Sequence, residues 1–152
     1  NRYYLARRTA AERNERMSSR EGASEETGID RKRMQRIEIG TLNPYPEEVM
    51  LMADAYHAPE LMNFYCTSAC PIGQKVMPKA ELQELDRLAV KFLNALEGIK
   101  GTDRVLLSIA ADGKLTADEL PAMEKLLESV KAVSAVGCEL QIFKEKQGRQ
   151  EG

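Results

Sequence analysis

Two helix starts and two helix stops alternate between Ser19 and Gly40, and this pattern constrains the fold more than any other feature of the chain. Ser19 and Asp30 are residue types that cap helix N-termini, because a short side-chain oxygen can accept a hydrogen bond from a free backbone N–H. Gly28 and Gly40 suit the left-handed backbone that ends a helix. The pattern predicts two short helices joined by a tight turn, at residues 20–27 and 31–39.

Hydrophobic spacing predicts helices elsewhere, and no segment shows the alternation of a strand. Residues 3–17 are predicted as one helix with an inward stripe of Leu5, Ala6, Thr9, Ala10 and Arg13. A helix from Pro46 to about His57 is expected to bury Val49, Leu51, Met52 and Ala55, and another begins at Pro59-Glu60. Later helices are predicted at 80–99, at 102–111 and, after a capping box at Thr116–Glu119, up to about Lys146. The predicted fold class is all-α.

The segment 66–79 holds two cysteines, two prolines and a glycine without helical spacing, which indicates a linker. The chain therefore divides into a five-helix domain at 1–65, the linker at 66–79, and a C-terminal helical hairpin or three-helix unit at 80–146. The tail, 147–152, is expected to be frayed.

One face of the predicted helix 31–39 is cationic. Met34 and Ile37 are spaced to face inward, which leaves Arg31, Lys32, Gln35 and Arg36 outward. The net charge of the chain is −2, so charge alone gives no support to nucleic-acid binding. Any such interpretation depends on this local patch.

The string from Ser19 to Asp30, followed by Met34, Arg36-Ile37-Glu38 and Gly40, resembles the Xre/Cro (lambda-repressor-like) helix-turn-helix family. Asn43-Pro44 and the helix that begins at Pro46 fit the same pattern. The resemblance covers about residues 5–65. It implies a transcriptional regulator that binds double-stranded DNA, with helix 31–39 in the major groove.

The resemblance also implies a role for particular residues. Arg31, Lys32, Arg36 and Gln35 would contact base edges, since Arg can bond guanine and Gln adenine in bidentate fashion. Phosphate contacts would come from Ser19, Arg20, Arg33 and Asn43. Arg13 and Glu38 match positions that pair inside the domain.

The sequence departs from the family pattern in several places, among them Ser24, where alanine is usual, and Asp30, which adds negative charge near the expected DNA face. Gly22 occupies a position normally held by a good helix former, and Glu25-Glu26 place negative charge near the expected DNA face. An alternative function is therefore a protein–protein adaptor that uses the fold without binding DNA.

Other chemistry has little support in the sequence. His57, Cys66, Cys70 and Cys138 could be metal ligands, but C-x3-C is not a familiar zinc spacing, and no metal or cofactor is predicted. A redox role for Cys66 and Cys70 is an open alternative. No nucleophile–base pair or phosphate loop is present in the sequence, so no catalytic residue is predicted and the chain is not expected to be an enzyme.

The C-terminal region carries a seam of apolar residues at 3-4-3-4 spacing, which is typical of helices that pair. Its members are Leu82, Leu85, Ala89, Phe92 and Leu96. We expect these helices to form a homodimer or to bind a partner. No apolar run is long enough for a membrane span, and the expected location is the cytoplasm.

Overall fold

The computed structural model describes residues 1–148, and every regular element among them is a helix, which confirms the all-α prediction. The chain divides into two compact units. Within residues 1–148, the first comprises residues 1–79 together with 144–148, and the second comprises residues 80–143. None of the helices within residues 1–148 combines the length and apolar content that a membrane span requires.

The first unit is built from short helices. They are α1 (Arg2–Ala10), a 3₁₀ helix (Glu15–Ser18), α2 (Arg20–Thr27), α3 (Arg31–Ile39), α4 (Pro46–Ala55), α5 (Glu60–Ser68) and α6 (Gly73–Val76). Helices α2 and α3 begin and end at the predicted residues, because strong local signals mark all four ends.

The predicted single helix 3–17 is wrong. Helix α1 ends at Ala10, and the chain turns before Asn14, whose backbone is extended at φ −135°. The Asn14 side chain accepts a hydrogen bond from the Arg16 N–H, at 3.1 Å, and so starts a separate 3₁₀ helix that buries Met17. The inward face of α1 also differs from the prediction, since Leu5 is 60% exposed.

The core of the first unit contains Met34 and Ile37, as predicted, and both are completely buried. Helix α4 contributes Val49 and Met52 as predicted, but Leu51 is 48% exposed. At about 100° per residue, Val49, Met52 and Ala53 fall on one side of α4, and Leu51 falls on the other side. The remaining core side chains are Tyr3, Ala10, Met17, Ala23, Ile29, Ala53, Tyr56, Ala58 and Leu61.

The segment predicted as a linker, 66–79, belongs to the first unit. Helix α5 continues to Ser68, and α6 follows after a short turn. The Asn63 side chain donates a hydrogen bond to the Pro78 carbonyl at 3.0 Å. The proline and glycine residues of this segment form a turn that packs against α5. A compact turn and an extended linker both lack hydrophobic periodicity, so the sequence pattern cannot distinguish them.

The second unit contains α7 (Leu85–Gly98), α8 (Thr102–Ala110) and most of α9 (Leu120–Gly148). Helix α7 starts later than predicted, so Leu82 lies before it. The Glu119 carboxylate accepts hydrogen bonds from the Thr116 N–H and hydroxyl, at 2.9 and 2.8 Å, and α9 begins at the next residue. Gln147 and Gly148 are helical, contrary to the predicted frayed tail, and 149–152 lie outside the described residues.

Candidate nucleic-acid interface

The turn between α2 and α3 has the geometry that its sequence predicts. The Ser19 hydroxyl accepts a hydrogen bond from the Gly22 N–H at 3.0 Å, and the Asp30 carboxylate accepts one from the Arg33 N–H at 2.9 Å. Gly28 has φ +71°, in the left-handed region that favours glycine. Ile29 is buried between the helices, which fixes the direction in which α3 leaves the turn.

Gly22 allows α2 to lie against the 3₁₀ helix that precedes it. A Cβ atom at this position would be 2.2 Å from the Arg16 carbonyl oxygen, well inside van der Waals contact. A glycine in a helix costs about 1 kcal/mol relative to alanine. The close approach of two backbones gives a physical reason for this departure from the usual helix former.

Glu38 holds α3 from its buried side. Its carboxylate accepts hydrogen bonds from Arg7 Nε at 2.5 Å and Arg7 Nη2 at 3.2 Å, and from Arg20 Nε at 2.6 Å. The side chains of Arg7 and Glu38 are only 4% and 2% exposed. Arg7 Nη1 also donates to the Met17 and Ser18 carbonyls, so this buried ion pair is well hydrogen-bonded.

The predicted pairing of Arg13 with Glu38 is wrong, since Arg7 and Arg20 occupy the carboxylate. Arg13 lies after the end of α1 and donates a hydrogen bond to the Tyr56 carbonyl at 3.0 Å. The prediction assumed that α1 continues through Arg13. Arg7, one turn before the end of α1, lies on the buried face of the helix instead. Tyr56 lies nearby, and its pKa is raised by burial and then by the Glu38 charge, against the opposing effect of Arg7.

The opposite face of α3 carries the four residues predicted to contact bases: Arg31, Lys32, Gln35 and Arg36. All four are exposed, and within residues 1–148 none of their side chains makes a hydrogen bond or an ion pair. At 3.6 residues per turn they share an arc of about 140°. Ile39 lies in the same arc and is 59% exposed, although the sequence interpretation did not include it. The position of Ile39 on the helical projection would have predicted its exposure.

The four residues predicted to contact phosphate lie in different environments. Asn43 is exposed in the loop before α4. Ser19 caps α2 and Arg20 pairs with Glu38, so both also serve the fold. Arg33 is engaged on the side of α3, where it pairs with Glu48.

Arg33 forms a bidentate ion pair with the Glu48 carboxylate, with Nη2 at 2.8 Å from Oε2. Its guanidinium carbon lies 4.2 Å from the centre of the Tyr45 ring. The Glu48 hydrogen bond raises the pKa of Arg33. The same hydrogen bond lowers the pKa of Glu48, while burial opposes that shift and the Tyr45 N–H assists it. This arrangement ties α3 to the start of α4.

The acidic pair on α2 is matched by a cation. Arg16 donates to Glu25 at 2.6 Å and to Glu26 at 2.9 Å. These hydrogen bonds and charges raise the pKa of Arg16. The single positive charge of Arg16 offsets one of the two negative charges, so the pair opposes an approaching anion less than two unpaired carboxylates would.

The three cysteines are free thiols: Cys66 and Cys70 in the first unit, and Cys138 on α9 in the second. In the described part of the chain, no three or more His, Cys, Asp or Glu side chains are grouped so that they could hold a metal ion.

No protein-family model, curated protein or solved structure matches this chain.

Proposed function

We propose that the chain is a sequence-specific regulator of transcription that binds double-stranded DNA by inserting α3 into the major groove. The observation that carries the proposal is the free polar face of α3. Arg31, Lys32, Gln35 and Arg36 are exposed side by side and unpaired within residues 1–148, on a helix whose other face is fixed in the core.

The distribution of arginine contacts supports this proposal. Arg7, Arg16, Arg20 and Arg33 are held by carboxylates of the first unit. The free cations of α3 keep their donors available for guanine or phosphate, and Gln35 can bond adenine. Exposed Ile39 adds an apolar group that can contact a thymine methyl. The proposal agrees with the resemblance to Xre/Cro regulators and requires no catalytic group.

A selection experiment tests the proposal. The full chain would be used to select sequences from a random duplex pool, followed by fluorescence anisotropy at two salt concentrations. We expect one sequence to be enriched and Arg31→Ala/Arg36→Ala to bind it at least about tenfold more weakly, since one bidentate base contact contributes roughly 1–3 kcal/mol. Affinity should fall with salt, because each neutralised phosphate adds about −0.9 to the slope.

A matched control is Arg87→Ala/Arg104→Ala, which removes the same charge from exposed positions of α7 and α8. This variant should bind the selected site as the unmodified protein does. Equal losses in both double variants would indicate a non-specific charge effect. If no sequence is enriched and no duplex binds at low salt, the regulator proposal is refuted, and the adaptor function becomes the better hypothesis.

We further propose that two copies associate through α7, so that two α3 helices can contact half-sites about 34 Å apart. The seam predicted from the sequence stays uncovered: Leu85 is 54% exposed and Leu96 is 40% exposed, whereas the α7 residues buried in the second unit are Leu88 and Ala95. Leu93 extends the uncovered surface and is 64% exposed.

Sedimentation equilibrium tests this association. Leu93→Glu should give a monomer, because it places a charge on the apolar surface, while its exposed neighbour variant Asn94→Glu should remain a dimer. A monomeric unmodified chain would contradict the proposal. A palindromic selected site would support it independently.

A further inference from the structure

The pair Cys66 and Cys70 is not used by the proposed DNA interface. Cys66 lies in the last part of α5, and Cys70 follows four residues later. The N–H groups of Ala69 and Cys70 both donate to the Tyr65 carbonyl, at 2.9 and 3.1 Å, so the chain keeps turning after the helix ends. Cys70 is outside the regular helix, but this continued turn keeps its backbone close to the last turn of α5.

This spacing is compatible with a disulfide. Helical geometry places Cα atoms four residues apart at about 6 Å, and disulfides span Cα separations of about 4.4–6.8 Å. Their Cβ atoms must approach more closely than in a regular helix. A bond here therefore requires adjustment of the last turn, which is available because Cys70 lies beyond the end of α5.

The chain after Cys70 folds back onto Cys66. The Gly73 N–H donates to Cys70 Sγ at 3.4 Å, and the Gln74 N–H donates to the Cys70 carbonyl at 3.0 Å. A Cβ atom on Gly73 would be 2.2 Å from the Cys66 carbonyl oxygen, so the backbones touch. The motif Cys-Pro-Ile-Gly thus forms a compact turn that contacts the Cys70 thiol and the Cys66 backbone.

Tyr3 in the same unit has a buried hydroxyl group. Tyr3 on α1 is 5% exposed, and its hydroxyl has no hydrogen-bond partner within residues 1–148. Burial raises its pKa to about 12, with further contributions from Tyr65 and Cys66. The hydroxyl thus keeps its proton, and this donor has no acceptor within residues 1–148.

Two thiols with no third ligand suit a disulfide better than a structural zinc ion, which takes four protein ligands. In residues 1–148 no further His, Cys, Asp or Glu completes such a set. The observations therefore favour oxidation of the pair.

We propose that Cys66 and Cys70 are a dithiol modification site that a hydroperoxide converts into an intramolecular disulfide. One thiol loses its proton and attacks a peroxide oxygen, the O–O bond breaks, and a sulfenic acid and water (or an alcohol) form. The second thiol then attacks that sulfur, the S–O bond breaks, and a second water leaves with the thiol proton. The two sulfurs lose two electrons to the peroxide, and a dithiol reductant reverses the change.

The test treats the reduced full chain with hydrogen peroxide, alkylates the remaining thiols, and maps the peptides without reduction. We expect loss of two of the three thiols, a single Cys66–Cys70 linkage, and alkylated Cys138. Cys138→Ser should form the same linkage. Cys66→Ser and Cys70→Ser should lose it, with folding checked by circular dichroism.

The peptide map of the unmodified chain shows whether the Cys66–Cys70 disulfide forms, even if a serine variant fails to fold. Equal alkylation of all three cysteines after treatment would overturn the proposal. So would a linkage between two copies, or over-oxidation without any Cys66–Cys70 bond. None of these outcomes depends on whether the chain binds DNA.

Discussion

Replacing Gly22 with alanine tests how closely α2 lies against the preceding 3₁₀ helix. An alanine in a helix interior normally adds about 1 kcal/mol to stability relative to glycine. Here the added methyl would be 2.2 Å from the Arg16 carbonyl oxygen, and both atoms belong to short, well-packed segments. The two backbones must therefore move apart by most of an ångström.

Overpacking of this kind typically costs about 1–3 kcal/mol, and a rigid backbone neighbour favours the upper part of that range. After the gain in helix propensity, we expect Gly22→Ala to destabilise the first unit by roughly 1–2 kcal/mol. For a unit of this size, that corresponds to a fall in Tm of about 5–10 °C.

Urea denaturation followed by tyrosine fluorescence measures this effect selectively. All five tyrosines lie between Tyr3 and Tyr65, and the chain has no tryptophan, so the signal reports the first unit. The matched control is Gly137→Ala on α9, where an added Cβ would meet nothing within 4 Å. Circular dichroism should show that this control is stabilised by up to about 1 kcal/mol. A Gly22→Ala protein that is more stable than the unmodified chain would refute the close approach.

Two further substitutions test the ion pairs. Arg7→Met should destabilise the first unit by about 3–5 kcal/mol, because it removes the principal partner of buried Glu38. Arg13→Met, which removes a hydrogen bond to a backbone carbonyl, should cost under about 1 kcal/mol. Equal losses of stability in urea denaturation would contradict the pairing of Arg7 with Glu38. The lowered pKa of Glu48 means that its charged form stabilises the fold above the ordinary pKa of about 4.5, and that this contribution is lost as pH falls through the lower folded-state value. The difference in unfolding free energy between the unmodified protein and Glu48→Gln should therefore shrink below about pH 4.5. The control Glu47→Gln, at an exposed position, should differ little from the unmodified protein at any pH. A difference for Glu48→Gln that stays constant with pH would be evidence against the pairing of Glu48 with Arg33.

The helix-turn-helix segment was predictable because its signals are local. A cap residue acts within three positions and a left-handed glycine acts at its own position, so Ser19, Gly28, Asp30 and Gly40 mark the ends of α2 and α3 without tertiary information. The outward direction of Arg31, Lys32, Gln35 and Arg36 followed from the spacing of two buried residues. That these side chains bind DNA stays a prediction.

Contacts between distant positions were not predictable in the same way. The sequence analysis paired Glu38 with Arg13, whereas the packing of α1 and α2 against α3 brings Arg7 and Arg20 to the Glu38 carboxylate. The engagement of Arg33 with Glu48 likewise depends on how α4 approaches α3.

The all-α class, the two short helices and their turn could be predicted from the amino-acid sequence, because they follow from hydrogen bonds and periodicity within a few residues. The packed structure was needed to show which cations of α3 are unpaired, why position 22 is a glycine, and that the apolar seam of α7 is exposed. Ion pairing, steric overlap and burial depend on distances between segments, and those distances exist only once the helices have packed.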